Sequence, residues 1–138
     1  MYTSVTRTVH FTASHRYWKP EWTEEENRVR FGKVIHAHPH EYRCAVTVSG
    51  PLQSDTSMVM DLAVLDRLLQ THVLERFAGK SLDQDVPEFA GGNRLPTCEA
   101  IALDVFGRLA GELPVGVVLE RVQISESDAL SASVTRGA

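Results

Sequence analysis

The stretch that organises this chain is His36-Ala-His-Pro-His-Glu-Tyr-Arg-Cys44. Alternate positions hold the residues that bear chemistry: His36, His38, His40, Tyr42 and Cys44. Successive side chains of an extended strand point to opposite sides, so these five side chains are predicted to share one face. Two histidines spaced two apart on a strand can reach one metal ion when a third ligand comes from elsewhere. The pattern therefore predicts a strand that carries part of a metal site.

The first strand-like segment offers the third ligand. Residues 5–15 alternate apolar and polar side chains, which indicates a half-buried strand that ends at His15. His10 has the opposite parity and is interpreted as a surface or packing residue. Three neutral histidines without a fourth protein ligand leave one coordination position open, as in catalytic zinc sites. The alternative interpretation is that some of these histidines only cap a loop.

Composition narrows the class of protein. The 138 residues are 43% hydrophobic and 23% charged, which fits one soluble globular domain over residues 1–138. A net charge of −4 with scattered Lys and Arg argues against nucleic acid or an anionic membrane as a partner. The polar start and the lack of a long apolar run lead us to expect a cytoplasmic protein. Cys44 and Cys98 form no CxxC pattern, so neither a disulfide framework nor a thiolate zinc site is predicted.

The segment between the two strands breaks the alternation. Residues 16–34 are predicted to form a long irregular loop with one helical turn capped by Thr23 and Glu26. Its tryptophans, Trp18 and Trp22, either line a pocket or interface or simply cover the core. A second strand is predicted to follow, from about Ala37 to Ser49.

Two helices and two more strands complete the predicted fold. Apolar residues recur at helical spacing from the N-cap Asp61 to Phe77, and Thr97 is predicted to cap a second helix that ends at Gly111. The intervening residues 78–96 are predicted to be irregular, and the last two strands are predicted at 116–124 and 129–136. The order β-β-α-α-β-β is typical of an α+β fold, a four-stranded antiparallel sheet with two helices on one face.

Short segments along almost the whole chain form an ordered set of motifs: Phe11-Thr-Ala-Ser-His-Arg16, Glu24-Glu-Glu-Asn27, Phe31-Gly-Lys33, His38-Pro-His-Glu-Tyr42, Met58-Val-Met-Asp-Leu62, Leu82-Asp-Gln-Asp-Val-Pro87, Thr97-Cys-Glu99, Leu113-Pro-Val-Gly116 and Ser125-Glu-Ser127. Together they resemble the 6-pyruvoyltetrahydropterin synthase and 6-carboxytetrahydropterin synthase family, which has the tunnelling fold.

The resemblance implies a ligand set, a substrate and an assembly. Family members use zinc held by three histidines to bind the side-chain oxygens of a dihydropterin triphosphate, and the matching ligands here are His15, His38 and His40. Glu126 falls on the glutamate that anchors the pterin ring, and Thr97 and Glu99 fall near the pterin pocket. The implied assembly is a homohexamer of two stacked trimers, or a homotrimer, with sites between subunits.

The chain departs from the family at its proton-transfer groups. Val34 stands where the synthases carry a catalytic cysteine, and Ala78 and Gly79 stand where they carry an Asp-His pair. The loop between Val34 and His38 is also about two residues shorter than in the animal enzymes. General acid–base catalysis is worth about 10²–10⁴ in rate, so the parent reaction should be nearly lost unless other groups replace the relay.

Three residues are candidates for that replacement: His36, Cys98 and Glu99. His36 is either a base or an ordinary loop residue. Cys98 at a helix N-terminus is expected to have a lowered thiol pKa and to be reactive, the alternative being a buried helix cysteine. Cys44 is expected to pack in the core.

Three functional hypotheses follow. The first is a zinc-dependent lyase that acts on the hydroxy or keto side chain of a pterin-like or other heterocycle, by elimination, tautomerisation, carbon–carbon cleavage or cyclisation. The second is a non-catalytic pterin- or metabolite-binding homologue that keeps the zinc. The third, in which zinc is absent and the histidines only pack, leaves three aligned ligands without a reason.

Overall fold

A single antiparallel sheet forms the framework of the computed structural model, which describes residues 3–137. Its strands are β1 (Thr3–His15), β2 (His38–Gly50), β3 (Val118–Ser125) and β4 (Ser131–Thr135), and they lie in the order β1-β2-β3-β4. Every neighbouring pair is antiparallel. The predicted four-stranded antiparallel sheet is therefore confirmed.

The helices lie between β1 and β2 and between β2 and β3. They are α1 (Glu24–Phe31), α2 (Leu62–Leu69), α3 (Glu75–Phe77), α4 (Leu82–Asp85) and α5 (Cys98–Ala110). A π turn over Gln70–Leu74 joins α2 and α3 into one continuous helix. Short 3₁₀ segments cover Gly32–Ile35 and Ala90–Gly92. No helix within residues 3–137 is both long enough and apolar enough to cross a bilayer.

The hydrophobic core lies between one face of the sheet and the two long helices. Phe11 of β1 stacks on Tyr42 of β2 at 5.1 Å and on Phe77 of α3 at 5.8 Å between ring centroids. Leu65 of α2 and Ile101 of α5 are fully buried against the same face. The opposite face is polar: its strand positions carry mainly hydroxyl and charged side chains. The prediction of two helices on one face is therefore confirmed, and the alternation along β1 and β2 places their apolar side chains in the core.

Helix α1 corrects the predicted irregular loop. The capping interaction is confirmed, because the Glu26 backbone N–H donates to Thr23 Oγ1 at 3.1 Å, but the helix runs for eight residues rather than one turn. Asn27 is its one buried residue, and its amide bonds Lys19 N, Lys19 O and Thr23 O. A helix that is polar on nearly all sides has no apolar stripe, so periodicity could not reveal it.

The two predicted helix caps differ in whether the side chain makes a capping hydrogen bond. Thr97 caps α5 as predicted, since its Oγ1 accepts the Ala100 backbone N–H at 3.0 Å. Asp61 occupies the predicted N-cap of α2, but its side chain makes no capping hydrogen bond. The region 78–96, predicted to be irregular, instead contains α4 and a 3₁₀ turn.

Close packing against Gly92 fixes the chain that follows β1. Gly92 has a φ of +75°, and a Cβ there would lie 2.6 Å from Pro20 Cδ and 2.7 Å from Trp18 O. Gly91 also has a positive φ, of +77°, but a Cβ there would meet nothing within 4 Å. Substitution of Gly91 therefore introduces backbone strain alone, whereas substitution of Gly92 introduces the same strain and a steric clash.

We expect Gly92→Ala to destabilise the protein more than Gly91→Ala. Both changes force alanine into the left-handed region at a cost of about 1–2 kcal/mol, and only Gly92→Ala adds a clash, with the Trp18 carbonyl and the Pro20 ring. Urea unfolding of the two variants measures the difference. Equal losses would show that residues 18–20 do not pack on Gly92.

Candidate metal centre

Three histidines meet where β1 ends and β2 begins. The β1–β2 register pairs His15 directly with His38 and places His40 opposite Ala13, on the same face. One ring nitrogen from each histidine lies within 4.8 Å of the other two, and the Nε2 atoms of His15 and His38 are 3.0 Å apart. The three rings meet edge to face, with centroids 4.6–4.9 Å apart. The three imidazoles thus converge on one point and could hold a metal ion.

Backbone carbonyls orient two of these imidazoles. The Nδ1 of His38 lies 2.8 Å from the His36 carbonyl, and the Nδ1 of His15 lies 3.2 Å from the Pro96 carbonyl. A carbonyl oxygen can only accept, so each Nδ1 carries the proton and donates. The unprotonated Nε2 of each ring then points into the cluster, which is the arrangement that surrounding hydrogen bonds impose on metal-binding histidines.

Burial keeps the first of the three histidines neutral. His15 is 1% exposed, and its burial together with neighbouring His38 lowers its pKa to about 4. The Tyr42 hydroxyl lies 2.9 Å from the same ring, at Nδ1. A neutral imidazole is the form that binds metal, so His15 is ready to act as a ligand at neutral pH without losing a proton.

A carboxylate from the other end of the chain reaches the same cluster. Glu126 follows β3, and its Oε2 lies 3.2 Å from His40 Nε2 and 3.5 Å from His15 Nε2. The side chain is 10% exposed, and among residues 3–137 its buried Oε2 has no hydrogen-bond partner of acceptable geometry. A buried carboxylate oxygen without a partner carries a desolvation cost that a cation would offset.

These atoms fit a divalent metal. Neutral imidazole nitrogens and a carboxylate oxygen are the donors that zinc accepts, besides thiolates. The Oε2 of Glu126, close to His40 and His15, adds a carboxylate oxygen beside these nitrogens. The three imidazoles, from two adjacent strand ends, therefore suit a divalent metal such as zinc.

Comparison with known proteins places the chain. A family model described as 6-pyruvoyl tetrahydropterin synthase matches residues 4–137. The chain belongs to the 6-pyruvoyl tetrahydropterin synthase family. Human 6-pyruvoyl tetrahydrobiopterin synthase is 38% identical over 126 residues, which are 90% of this chain and 85% of the human protein. The Drosophila melanogaster protein of that name is 34% identical over 125 residues, 89% of this chain and 73% of the relative.

Solved structures share the fold. The structure of Caenorhabditis elegans 6-pyruvoyl tetrahydropterin synthase superposes with a TM-score of 0.89 at 27% identity, covering 99% of this chain and 97% of that one. An uncharacterised Wolinella succinogenes protein superposes with a TM-score of 0.74 at 18% identity over 99% of both chains. The tunnelling fold inferred from the sequence motifs is thereby confirmed.

In this member of the 6-pyruvoyl tetrahydropterin synthase family, His36 does not share the histidine face as predicted. β2 begins at His38, so His36 lies before the strand, at the end of the 3₁₀ segment, with its side chain exposed. Its carbonyl orients His38, whereas its imidazole stands apart from the cluster of three. The strict alternation through all five positions therefore holds only from His38 onward.

The predicted low pKa of Cys98 is wrong. Cys98 is 2% exposed at the start of α5, and burial together with the charge of Glu126 raises its thiol pKa to about 12. The helix N-terminus favours the thiolate, but loss of solvation outweighs it. Cys44 packs in the core as expected, fully buried and with a pKa raised to about 12 by burial.

The other predicted site residues lie at the first turn of α5. Thr97 is half-buried and occupied in capping the helix, while Glu99 is exposed. Two tyrosines that sequence reasoning did not select stand closer to the histidines. The Tyr17 ring lies 5.0 Å from the His15 ring, and the Tyr42 hydroxyl contacts His15. Burial and the charge of Glu126 raise the pKa of both phenols, so both are neutral hydrogen-bonding groups.

The positions that depart from the family pattern make backbone contacts near the end of β1. The Val34 carbonyl accepts the Tyr17 N–H at 2.8 Å, and the Gly79 N–H donates to the Thr12 carbonyl at 2.7 Å. Ala78 ends the long helix, with its N–H bonded to Leu74 O. None of these side chains can transfer a proton. These three positions therefore contribute backbone hydrogen bonds and no acid or base.

The metal-free protein should lose stability as the pH falls from 6.5 to about 4. The unfolded chain protonates His15 near its ordinary pKa of 6.5, whereas the folded protein does so only near pH 4, so protons favour unfolding throughout this window. Above it the contribution of His15 is constant, and below it both states are protonated. Urea unfolding in the presence of a chelator measures this dependence.

In His15→Gln, the free energy of unfolding should fall less between pH 6.5 and about 4 than it does in the parent protein. His10→Gln, which removes an exposed histidine from the other face of β1, is the matched control and should keep the slope of the parent protein. Identical slopes for His15→Gln and the parent would contradict a buried, neutral His15.

Proposed function

We propose that this protein is a zinc-dependent lyase of pterin biosynthesis that acts on the hydroxy or keto side chain of a dihydropterin or a related heterocycle. The observation that supports it most is the convergence of three imidazoles, from His15, His38 and His40, within 4.8 Å of one another in a member of this family. Curated relatives carry the name of 6-pyruvoyl tetrahydrobiopterin synthase. The reaction class includes elimination, tautomerisation, carbon–carbon cleavage and cyclisation.

In this proposal His15, His38 and His40 hold the zinc, which when bound supplies a Lewis acid for oxygens of the substrate side chain. The carbonyls of His36 and Pro96 keep two of the imidazoles in the ligating tautomer. The chain thus presents imidazole nitrogens that are already oriented to bind the metal.

Binding of the ring is assigned to groups around the cluster. Glu126 is proposed to accept hydrogen bonds from the amino group and ring nitrogen of the heterocycle, with Thr97 and Glu99 beside it at the start of α5. The neutral Tyr17 phenol, packed on His15, is a further donor for the substrate. The Tyr17 side chain is only partly buried, so a ligand can reach it.

We assign proton transfer to His36 or Glu99 in preference to Cys98. Both have exposed side chains, so a substrate or a neighbouring subunit can reach them. Cys98 is the weakest candidate of the three, because a thiol with a pKa of about 12 is almost entirely protonated at neutral pH.

The proposed assembly is a homohexamer of two stacked trimers, or a homotrimer. The outer edges of β1 and β4 carry no further strand of the sheet within residues 3–137. Such edges readily extend a sheet by pairing with another chain. Sites between subunits would bring the exposed His36 and Glu99 near a neighbouring copy.

A second candidate is a non-catalytic pterin-binding homologue that retains the zinc. The observation in its favour is the loss of acid–base side chains at Val34, Ala78 and Gly79. This candidate shares the metal and the ring anchor with the first and differs only in turnover.

Incubation of the zinc-loaded protein with dihydroneopterin triphosphate tests both functions. We expect conversion about 10²–10⁴-fold slower than by a relative with the complete relay. Released triphosphate and new pterin products measure the rate. His38→Ala should abolish it, whereas His72→Ala, in the π turn, should not.

The outcomes separate the candidates. Saturable binding without conversion favours the binding homologue. Absence of both binding and conversion in a zinc-loaded, folded protein overturns both candidates. Turnover that survives His36→Gln and Glu99→Gln singly would rule out each of those residues as the essential base.

A further inference from the structure

The hydroxyl of Tyr42 contacts the His15 ring on the side that faces away from the histidine cluster. Tyr42 Oη lies 2.9 Å from His15 Nδ1, and the two residues are 0% and 1% exposed. The other ring nitrogen of His15, Nε2, faces the cluster and lies 3.0 Å from His38 Nε2. Tyr42 therefore contacts the one nitrogen of this imidazole that would not bind the metal.

Two acceptors share the N–H at His15 Nδ1. The Tyr42 hydroxyl oxygen lies 2.9 Å from Nδ1, and the Pro96 carbonyl oxygen lies 3.2 Å from it. One N–H that is divided between two acceptors forms a three-centre hydrogen bond, and the shorter branch here runs to the hydroxyl. Tyr42 lies in β2, whereas Pro96 directly precedes Thr97, the cap of α5. Two separate elements of the fold therefore hold the same imidazole.

The hydrophobic core fixes the position of this hydroxyl. The Tyr42 ring stacks on Phe11 with centroids 5.1 Å apart and 9° between the ring planes, and Phe11 also stacks on Phe77. The β1–β2 register pairs Phe11 directly with Tyr42. Side chains in a close-packed core are held in single rotamers, so the hydroxyl has little freedom to leave His15. A buried tyrosine hydroxyl also usually has a hydrogen-bond partner, and His15 Nδ1 is that partner here.

His38 is oriented by a different kind of contact. Its Nδ1 lies 2.8 Å from the carbonyl of His36, only two residues away in the chain. The contacts of His15 instead join β1 to β2 and to the segment before α5. Removal of the Tyr42 hydroxyl should therefore change the surroundings of His15 and leave those of His38 as they are.

We propose that Tyr42 is a positioning residue of the metal centre, whose hydroxyl accepts the His15 Nδ1–H and keeps Nε2 directed at the metal. The inference rests on the proposed function only for the presence of the metal. Hydrogen-bond partners on the far nitrogen of a ligating histidine fix its tautomer and ring orientation and raise its basicity as a ligand. The stacked aromatic core thus contributes to metal affinity through one hydroxyl group.

The zinc affinity of Tyr42→Phe tests the assignment. The substitution removes the hydroxyl but keeps the ring that stacks on Phe11, and the His15 Nδ1–H keeps its longer branch to Pro96. Chelator competition measures the Kd for Zn²⁺ of the variant and of the parent. We expect the Kd of Tyr42→Phe to be about 10–100-fold weaker, the usual loss when a hydrogen-bond partner of a ligating histidine is removed.

Val46→Ala is the control for general loss of stability. Val46 is a fully buried residue of the same strand, and it pairs with Arg7 rather than with a residue of the site. Its truncation should lower the stability measured by urea unfolding and leave the Kd for Zn²⁺ unchanged. An equally weakened Kd in Val46→Ala and Tyr42→Phe would show that affinity follows stability, and it would overturn the role of Tyr42.

Nitrogen-15 NMR of the zinc-loaded protein reports the hydrogen bond itself. In Tyr42→Phe the His15 Nδ1 signal should shift, because this nitrogen loses its nearer partner. The His38 Nδ1 signal should stay in place, since its partner is the His36 carbonyl. In the parent protein, the His15 Hδ1 should show a nuclear Overhauser effect to the Tyr42 ring protons, a measurement that does not depend on the folding of any variant.

The possible results distinguish the role of Tyr42 from the proposed function. An unchanged Kd or an unchanged His15 Nδ1 signal in Tyr42→Phe overturns the role of Tyr42 and leaves the proposed function standing. Absence of the Overhauser effect in the zinc-loaded parent does the same. Failure of the folded parent to bind Zn²⁺ overturns the proposed function together with this inference. A weaker Kd in Tyr42→Phe alone, with a shift of the His15 signal and none of the His38 signal, confirms the positioning role.

Discussion

The direct pairing of His15 with His38 across the β1–β2 ladder is the constraint on which the site depends. The same register places Phe11 opposite Tyr42, so the histidines continue the face that forms the hydrophobic core. A slip of one residue would move every side chain of a strand to the other face of the sheet. Burial of the core aromatics therefore holds the metal-binding geometry in register, and the cost of misplacing a histidine is the cost of exposing the core.

Low solvation at the strand ends explains the chemistry of the cluster. Burial keeps His15 neutral and holds the neighbouring phenols protonated, and Oε2 of Glu126 has no hydrogen-bond partner among residues 3–137. The unpartnered carboxylate oxygen is a cost to the metal-free chain that a nearby cation would offset, and the neutral imidazole can bind metal without losing a proton. The cluster is in this sense better suited to the metal-bound protein than to the metal-free one, and metal binding is expected to stabilise the fold.

Much of the fold and the histidine triad could be predicted because their signals are local. Period-two alternation revealed both β1 and β2, and the Thr97 cap marked the start of α5. The eight-residue α1 escaped because its stability comes from a cap and the buried Asn27 rather than from an apolar stripe. His36 was predicted to share the histidine face, but β2 begins only at His38 and His36 lies before it.

Features that depend on tertiary contact could not be read from the sequence. The pKa of Cys98 follows from burial and from Glu126, neither of which its position at a helix N-terminus reveals. The contact between Glu126 and His40 joins segments far apart in the chain, so no local pattern reveals it. Tyr17 lies in a segment with no periodicity, so its packing on His15 left no signal.

Zinc content after reconstitution tests the convergence of the three imidazoles most directly. Protein purified without a chelator, saturated with Zn²⁺ and desalted should carry one zinc per chain by elemental analysis. His38→Ala should lose most of it, whereas His36→Ala, which keeps the carbonyl that orients His38, should retain it. A folded parent protein that retains no zinc, or equal zinc in His38→Ala and the parent, would contradict a site built by His15, His38 and His40.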